Sequence, residues 1–290
     1  MAPRTALISP APAFAWLAAW TVLAMLWFVS PAFPMQPLAD LQAATGGWLS
    51  ITLLASGSIG LVQLAILRWP GHQSLAALGW RARDLPPALL LTALLWLLVQ
   101  GGTLLGAQLA DAPLVAHGAW AKGLGFALGP LLAQLLGTAL MEETVFRGYL
   151  WPQLKARLGG GRRGALVAAL LSQALFGLMH VPILAYRGAA PSEIAMAVLG
   201  LFLIGLVFVL LYAATRNLFV VVGVHALGNA PTLLFEPQGP GPTMWLLMGS
   251  LAVAAVAVVL HRKAKTRLSA GLLSPARGES GGLATNWSGR

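Results

Sequence analysis

Apolar runs long enough to cross a bilayer recur along most of the chain, and no other feature constrains the fold as strongly. A membrane-spanning α-helix needs about 20 mostly apolar residues. Runs of this kind cover residues 12–30, 48–68, 86–108, 126–146, 164–184, 195–214, 217–235 and 243–261. Backbone amides in lipid find no water to bond, so such runs must be helical or closed into a barrel, and their length selects the helix. The pattern predicts an all-α, polytopic integral membrane bundle of about eight transmembrane helices. Composition agrees, with 58% hydrophobic and 9% charged residues, against roughly 25% charged in soluble domains. The first run is too long for a signal-peptide core and no A-x-A site closes it, so it reads as an anchor. Cysteine is absent, which excludes disulfide staples, thiolate nucleophiles and Cys-ligated metals.

The net charge of +10 sits at the edges of the apolar runs rather than on one basic face. It therefore reads as a topology signal, and no nucleic-acid partner is expected. With the N-terminus in the cytoplasm, the inside segments collect Arg4, Arg68, Arg81, Arg83, Lys155, Arg157, Arg162, Arg163, Arg216 and the bases of the tail. The opposite side receives only Lys122 and Arg187. This bias places both termini in the cytoplasm of a cell (inner) membrane protein. Trp48, Trp69, Trp80, Trp120, Trp151 and Trp245 fall near predicted span ends, as interfacial anchors do. Residues 262–290, rich in Gly, Ser, Ala and Arg, are expected to be a disordered cytoplasmic tail. The Asn286-Trp287-Ser288 sequon in it reads as a chance match.

Ionisable groups inside lipid are costly and turn toward a bundle interior or a wet cavity. Only eight acidic residues occur in the chain, and two of them adjoin in the stretch LMEETVFRGYL at residues 140–150. Glu143 and Arg147 stand i,i+4 and can pair on one helix face, whereas Glu142 lies about 100° away around the axis. Pairing one carboxylate leaves the other free for chemistry. Span five holds Gln173 and His180 on one face, with Phe176 between them and Pro182 after them to interrupt the helix. Span seven holds His225 and Asn229 at i,i+4, with Gly223 and Gly228 allowing close approach. Taken singly, each group has a plain reading as an ion-paired helix end or an interhelical hydrogen bond. Together, two acids, two imidazoles and an amide on three spans are solvated most cheaply around one hydrated cavity.

That set has the makeup amide hydrolysis requires. A carboxylate beside an imidazole can hold a water and take its proton. A second imidazole and an amide can donate hydrogen bonds to a developing oxyanion. Glu142 is assigned as principal base, with His180 as partner on the same water. His225 and Asn229 form the oxyanion pair, and Glu143 with Arg147 fixes the helix. Glu142, His180 and His225 are also an acceptable ligand set for a divalent metal such as zinc, although no H-E-x-x-H occurs. Metal-free water activation is favoured. Ser172 lacks a G-x-S-x-G elbow and is a weaker nucleophile candidate.

These motifs resemble those of the family joining the CAAX prenyl endopeptidases to bacteriocin-processing and immunity-type membrane proteins. E-E-x-x-x-R is matched by Glu142, Glu143 and Arg147; F-x-x-x-H by Phe176 and His180; H-x-x-x-N by His225 and Asn229. The resemblance implies an intramembrane endopeptidase with a core at 123–235, accessory helices at 1–122 and a further helix at 236–261. It implies water activation at Glu142 and His180, oxyanion stabilisation at His225 and Asn229, and a site supported by Glu143 and Arg147. Phe176 is expected to contact substrate. The implied partner is a peptide or protein at the membrane, and the prenyl-processing branch removes the last three residues of a lipidated C-terminus. The competing classes are a proton-coupled transporter and a non-catalytic immunity or scaffold protein.

Two expectations concern geometry. Residues 147–164, with Tyr149, Trp151, Lys155 and Arg157, are expected to form an interfacial segment at the cavity mouth, open to lipid or to the cytoplasm. Helical rise leaves Glu142 near the basic end of span four but His180 about 24 Å from that end of span five. The two meet only if span five begins later, near residue 168, or if a helix is tilted, broken or re-entrant.

Overall fold

The computed structural model describes residues 8–273, and the backbone is all-helical, with no strand among the described residues. Arg4, Arg277, Arg290 and the sequon lie outside them. Helices α1 (Ala11–Phe28), α3 (Ile51–Arg68) and α4 (Leu85–Leu109) precede a long interrupted rod. That rod consists of α5 (Leu124–Leu136), α6 (Thr138–Glu143), a π-helical stretch Thr144–Leu150 and α7 (Trp151–Arg157). A second interrupted rod follows, α8 (Gly161–Leu178) and α9 (Val181–Tyr186), and then α10 (Pro191–Thr215), α11 (Leu218–Asn229) and α12 (Pro242–Leu273). The short α2 (Met35–Ala44) lies between α1 and α3. Among the described residues, seven helical segments are long and apolar enough to cross a membrane, and α11 is a shorter apolar helix in the place of the run 217–235. The molecule is a multi-pass membrane bundle whose leucines face outward in quantity, including Leu89, Leu90, Leu97 and Leu203, as a lipid solvent permits.

Local chemistry explains where the rods break. Gly137 separates α5 from α6 in a conformation (φ −125°, ψ −102°) that ends one helical segment and starts the next. Past Glu143 the turns widen, and the amide of Trp151 donates to the carbonyl of Phe146, five residues back. Pro182 has no N–H to continue the ladder, so α8 stops at Leu178, and His180 occupies the junction before α9.

The alternating crossings gather the connections at two ends. At the first end the Ser9 amide donates to Gln153 Oε1 (2.9 Å), and the Asn217 side chain donates to the Asp84 carbonyl (2.7 Å). Arg157 and Arg81 donate there to the carbonyls of Ser9 and Arg216. At the second end the loops after α4 and α11 join through Glu236 N to Val115 O (2.8 Å) and Trp120 Nε1 to Leu233 O (2.8 Å). Several tryptophans thus clamp segments together: Trp80 donates to Thr144 Oγ1 (2.8 Å) and Trp151 to the Ala165 carbonyl (3.1 Å).

Three sequence expectations are corrected. Residues 147–164 do not form the cavity mouth: none of them lines the cavity, Arg147 and Tyr149 are 0% and 1% exposed, and the rod runs on to Arg157. The reason is the wide π-helical stretch, which carries the helix past the ion pair that looked like its end. Helix α12 continues to Leu273, so 262–273 are helical where a disordered tail was expected; the rest of that tail lies outside the described residues. The depth mismatch between Glu142 and His180 is removed from the side opposite to the one expected. Span five begins at Gly161 rather than near 168, while span four ends at Arg157. Measured from the turn joining them, Glu142 lies about 22 Å and His180 about 28 Å along their rods, within about one helical turn of each other.

Candidate active site

Glu143 and Arg147 form the dry side of the site. Their i,i+4 placement brings Arg147 Nη1 to 2.9 Å from Glu143 Oε1, with both side chains fully buried. Arg147 Nη2 donates to Gln173 Oε1 (2.7 Å) and to the Gly205 carbonyl (3.2 Å). The guanidinium lies 4.7 Å from the ring centre of Phe176 and 5.1 Å from that of Phe208. An ion pair desolvated to this degree is sustained only by such a set of partners. Gly205 is required there, because a Cβ would come 2.5 Å from Gln173 Oε1.

Glu143 has a second task. Its Oε1 lies 2.7 Å from Nδ1 of His225, so an ionised Glu143 accepts a hydrogen bond from that nitrogen and leaves Nε2 to face the other way. Nε2 of His225 then lies 3.7 Å from Glu142 Oε2. His180 is oriented by a different acceptor: its Nδ1 lies 2.8 Å from the Phe176 carbonyl. A carbonyl only accepts, so Nδ1 of His180 carries a proton and, in the neutral ring, Nε2 bears the lone pair. The two imidazoles thus share one design, Nδ1 committed to the protein and Nε2 free, but one leans on a carboxylate and the other on a neutral carbonyl.

The wet side is a cavity of about 600 Å³ lined by Glu142, His180, His225 and Asn229 together. The Glu142 side chain is 18% exposed. Among the described residues it lies within 4 Å of His225 but makes no such contact with His180, which shares the cavity without touching it. Asn229, the last residue of α11, donates from Nδ2 to Gln134 Oε1 at 3.0 Å. An amide nitrogen has two hydrogens, so this bond sets the plane of the group and leaves one hydrogen for a ligand. Thr21 and Met25 of α1 and Ser56 and Gln63 of α3 complete the wall, so the N-terminal helices take part in enclosing the site. These residues, with α9, put the cavity toward the second end, away from the basic loops.

Every sequence-derived candidate therefore occupies one neighbourhood, but they divide between two layers. Glu142, His180, His225 and Asn229 line the cavity; Glu143 and Arg147 lie behind it. Phe176 lines the cavity too, yet it is 1% exposed and packs on His180 (centroids 5.1 Å), His225 (6.2 Å) and Phe146 (5.1 Å). Its visible work is to support both imidazoles and the guanidinium. Gln173, on the His180 face in the sequence, is drawn to Arg147 instead. Ser172 is fully buried, donates to the Ala169 carbonyl and is not part of the cavity wall. Gln134, Gly205 and Phe208 were not foreseen; Gln134 carries the same signal as Gln173, a lone amide inside an apolar run.

For a metal the donor set is the deciding test. Glu142, His180 and His225 are an acceptable ligand set by residue type, but no three His, Asp or Glu groups stand close enough for one ion among the described residues. As arranged, these three side chains are not gathered into a metal-ligand set.

Residues 123–231, which contain all three motifs, match the family described as type II CAAX prenyl endopeptidase, Rce1-like. The match covers 109 of the 290 residues and supports the resemblance of this segment to the CAAX-protease family. No curated protein and no solved structure matches the chain. At the level of the family, this match supports an intramembrane protease of the CAAX type.

Proposed function

We propose that the cavity hydrolyses a peptide bond near the C-terminus of a membrane-associated protein, with Glu142 as the base. The observation that carries this reading is the convergence of Glu142, His180, His225 and Asn229 on one cavity inside the Rce1-like segment. A water held between Glu142 and Nε2 of His180 attacks the scissile carbonyl carbon and gives its proton to the Glu142 carboxylate. The C=O π pair moves onto oxygen. His225 Nε2–H, in the protonated ring, and the second Asn229 N–H donate to that oxyanion. Glu143 balances the imidazolium charge. When the tetrahedral intermediate collapses, the C–N bond breaks and the proton on Glu142 passes to the leaving amine. The products are a new carboxylate and a new amine, and Glu142 is regenerated.

Charge supports the assignment. Two carboxylates and one guanidinium leave the cluster at net −1, and a proton on His225 brings it to zero in a medium where net charge is costly. The bias of basic residues toward the first end further supports cytoplasmic termini.

Purified protein, quenched peptides with free or prenylated C-termini, and the folded variants Glu142→Ala, His180→Ala and His225→Ala test the reading. Cleavage should fall by at least ~100-fold in each. Undiminished cleavage by Glu142→Ala removes the proposed base. If no peptide is cut while Glu142 and His180 govern proton-coupled uptake into liposomes, the transporter reading replaces this one. Cleavage should survive exhaustive chelation; recovery only on zinc add-back would overturn the metal-free scheme.

A further inference from the structure

The proposed hydrolysis leaves one cavity residue without a task. Arg187 follows α9, is exposed, and among the described residues is the single Lys or Arg in the cavity wall. Among the described residues its side chain has no ion pair and no hydrogen bond. The other ionisable wall groups are Glu142, His180 and His225. An anionic ligand entering such a cavity meets Glu142 beside His225 in its depth, whereas Arg187 is a permanent cation set apart from that carboxylate along α9.

The spacing between Arg187 and the reacting groups is informative. His180 and Arg187 stand seven residues apart, two helical turns, across the short α9. They share a face and are separated by about 10 Å along the axis. An extended peptide advances about 3.3–3.6 Å per residue, so about three residues bridge that distance. A guanidinium so placed can receive a carboxylate through paired N–H donors while a peptide bond a few residues upstream lies at Glu142 and His180.

We propose that Arg187 is a specificity-determining residue that binds the free C-terminal carboxylate of the substrate and so sets the length of the fragment released. This rests on the hydrolytic reading of the same cavity. A simple solvated cation would serve a helix C-terminus equally. However, it would not be the one Lys or Arg in the described wall of the cavity that holds Glu142.

The test separates binding from turnover. The full chain carrying Glu142→Gln is placed in phosphatidylcholine nanodiscs and titrated with a pool of fluorescein-labelled apolar peptides ending in a free carboxylate. The same pool ending in a carboxamide is titrated in parallel. The acid pool should bind about 10- to 100-fold more tightly. That preference should vanish in the Arg187→Gln double variant and return in part with Arg187→Lys. Equal retention of acid and amide, or a preference that survives Arg187→Gln, overturns the proposal. So does Arg187-dependent retention of phosphatidylglycerol without any acid-over-amide preference, which would give the guanidinium to lipid headgroups. Cleavage of the same pools with Glu142 intact is the separate readout. Arg187→Gln should raise KM for the acid pool with little change in kcat and leave the amide pool untouched. A merely structural arginine would affect both pools alike. Clear acid preference in binding without cleavage would remove the hydrolytic reading while leaving the anion site.

Discussion

Behind the cavity, Glu143 is 0% exposed and held by Arg147 and His225; one residue earlier, Glu142 is 18% exposed and faces the cavity. The two carboxylates differ by about 100° of helical rotation, and that rotation separates a dry layer from a wet one. The dry layer holds charge in place through short bonds to Arg147, Gln173 and Gly205. The wet layer leaves Glu142, His180 and one Asn229 hydrogen without a fixed partner on the cavity side. Chemical identity alone therefore does not assign a role to a buried acid; the number of its protein partners does.

If this division is right, substitutions in the two layers should fail in different ways. The largest effect on activity is expected from Glu142→Gln, which preserves shape while removing the proposed base. Peptide cleavage should drop by ~100-fold or more, with the thermal unfolding midpoint in detergent little changed. The largest effect on stability is expected from Arg147→Ala, which leaves the buried Glu143 charge with His225 but without its guanidinium partner; about 3–5 kcal/mol should be lost, measured by unfolding in mixed micelles. A fall in stability for Glu142→Gln as large as that for Arg147→Ala would erase the distinction.

The sequence made the layers only half legible. The i,i+4 spacing of Glu143 and Arg147 announced their pairing, and that pair is present at 2.9 Å. The three motifs also specified which spans must meet. What the sequence could not show is that the rod continues past Arg147, because Thr144–Leu150 and the basic residues after it look like a span end by hydropathy. A widened helical stretch has no compositional mark, so the depth of Glu142 was misjudged and the cavity was expected at the basic end. The link from Glu143 to His225 was likewise hidden, since it joins residues 82 apart in the chain.

Two smaller effects sharpen the comparison. Gly205→Ala should push Gln173 away from Arg147, because the new methyl would meet Gln173 Oε1 at 2.5 Å. About 1–3 kcal/mol of stability should go, and a thermal shift assay is sufficient to see it. Gln134→Ala should leave stability nearly unchanged but free the Asn229 amide to rotate. One neutral hydrogen bond contributes about 0.5–1.5 kcal/mol, so kcat should fall about 2- to 10-fold with KM nearly constant.

The widened stretch Thr144–Leu150 also sets the phase of the rod. Below it, Trp151–Arg157 must present Gln153 and Arg157 to Ser9; above it, Glu142 must look into the cavity. Removing a single residue from this spacer would rewind it and swing one portion against the other by about 100°. Catalytic aim and N-terminal anchoring are thereby geared to one another, and a one-residue deletion between them would disengage both.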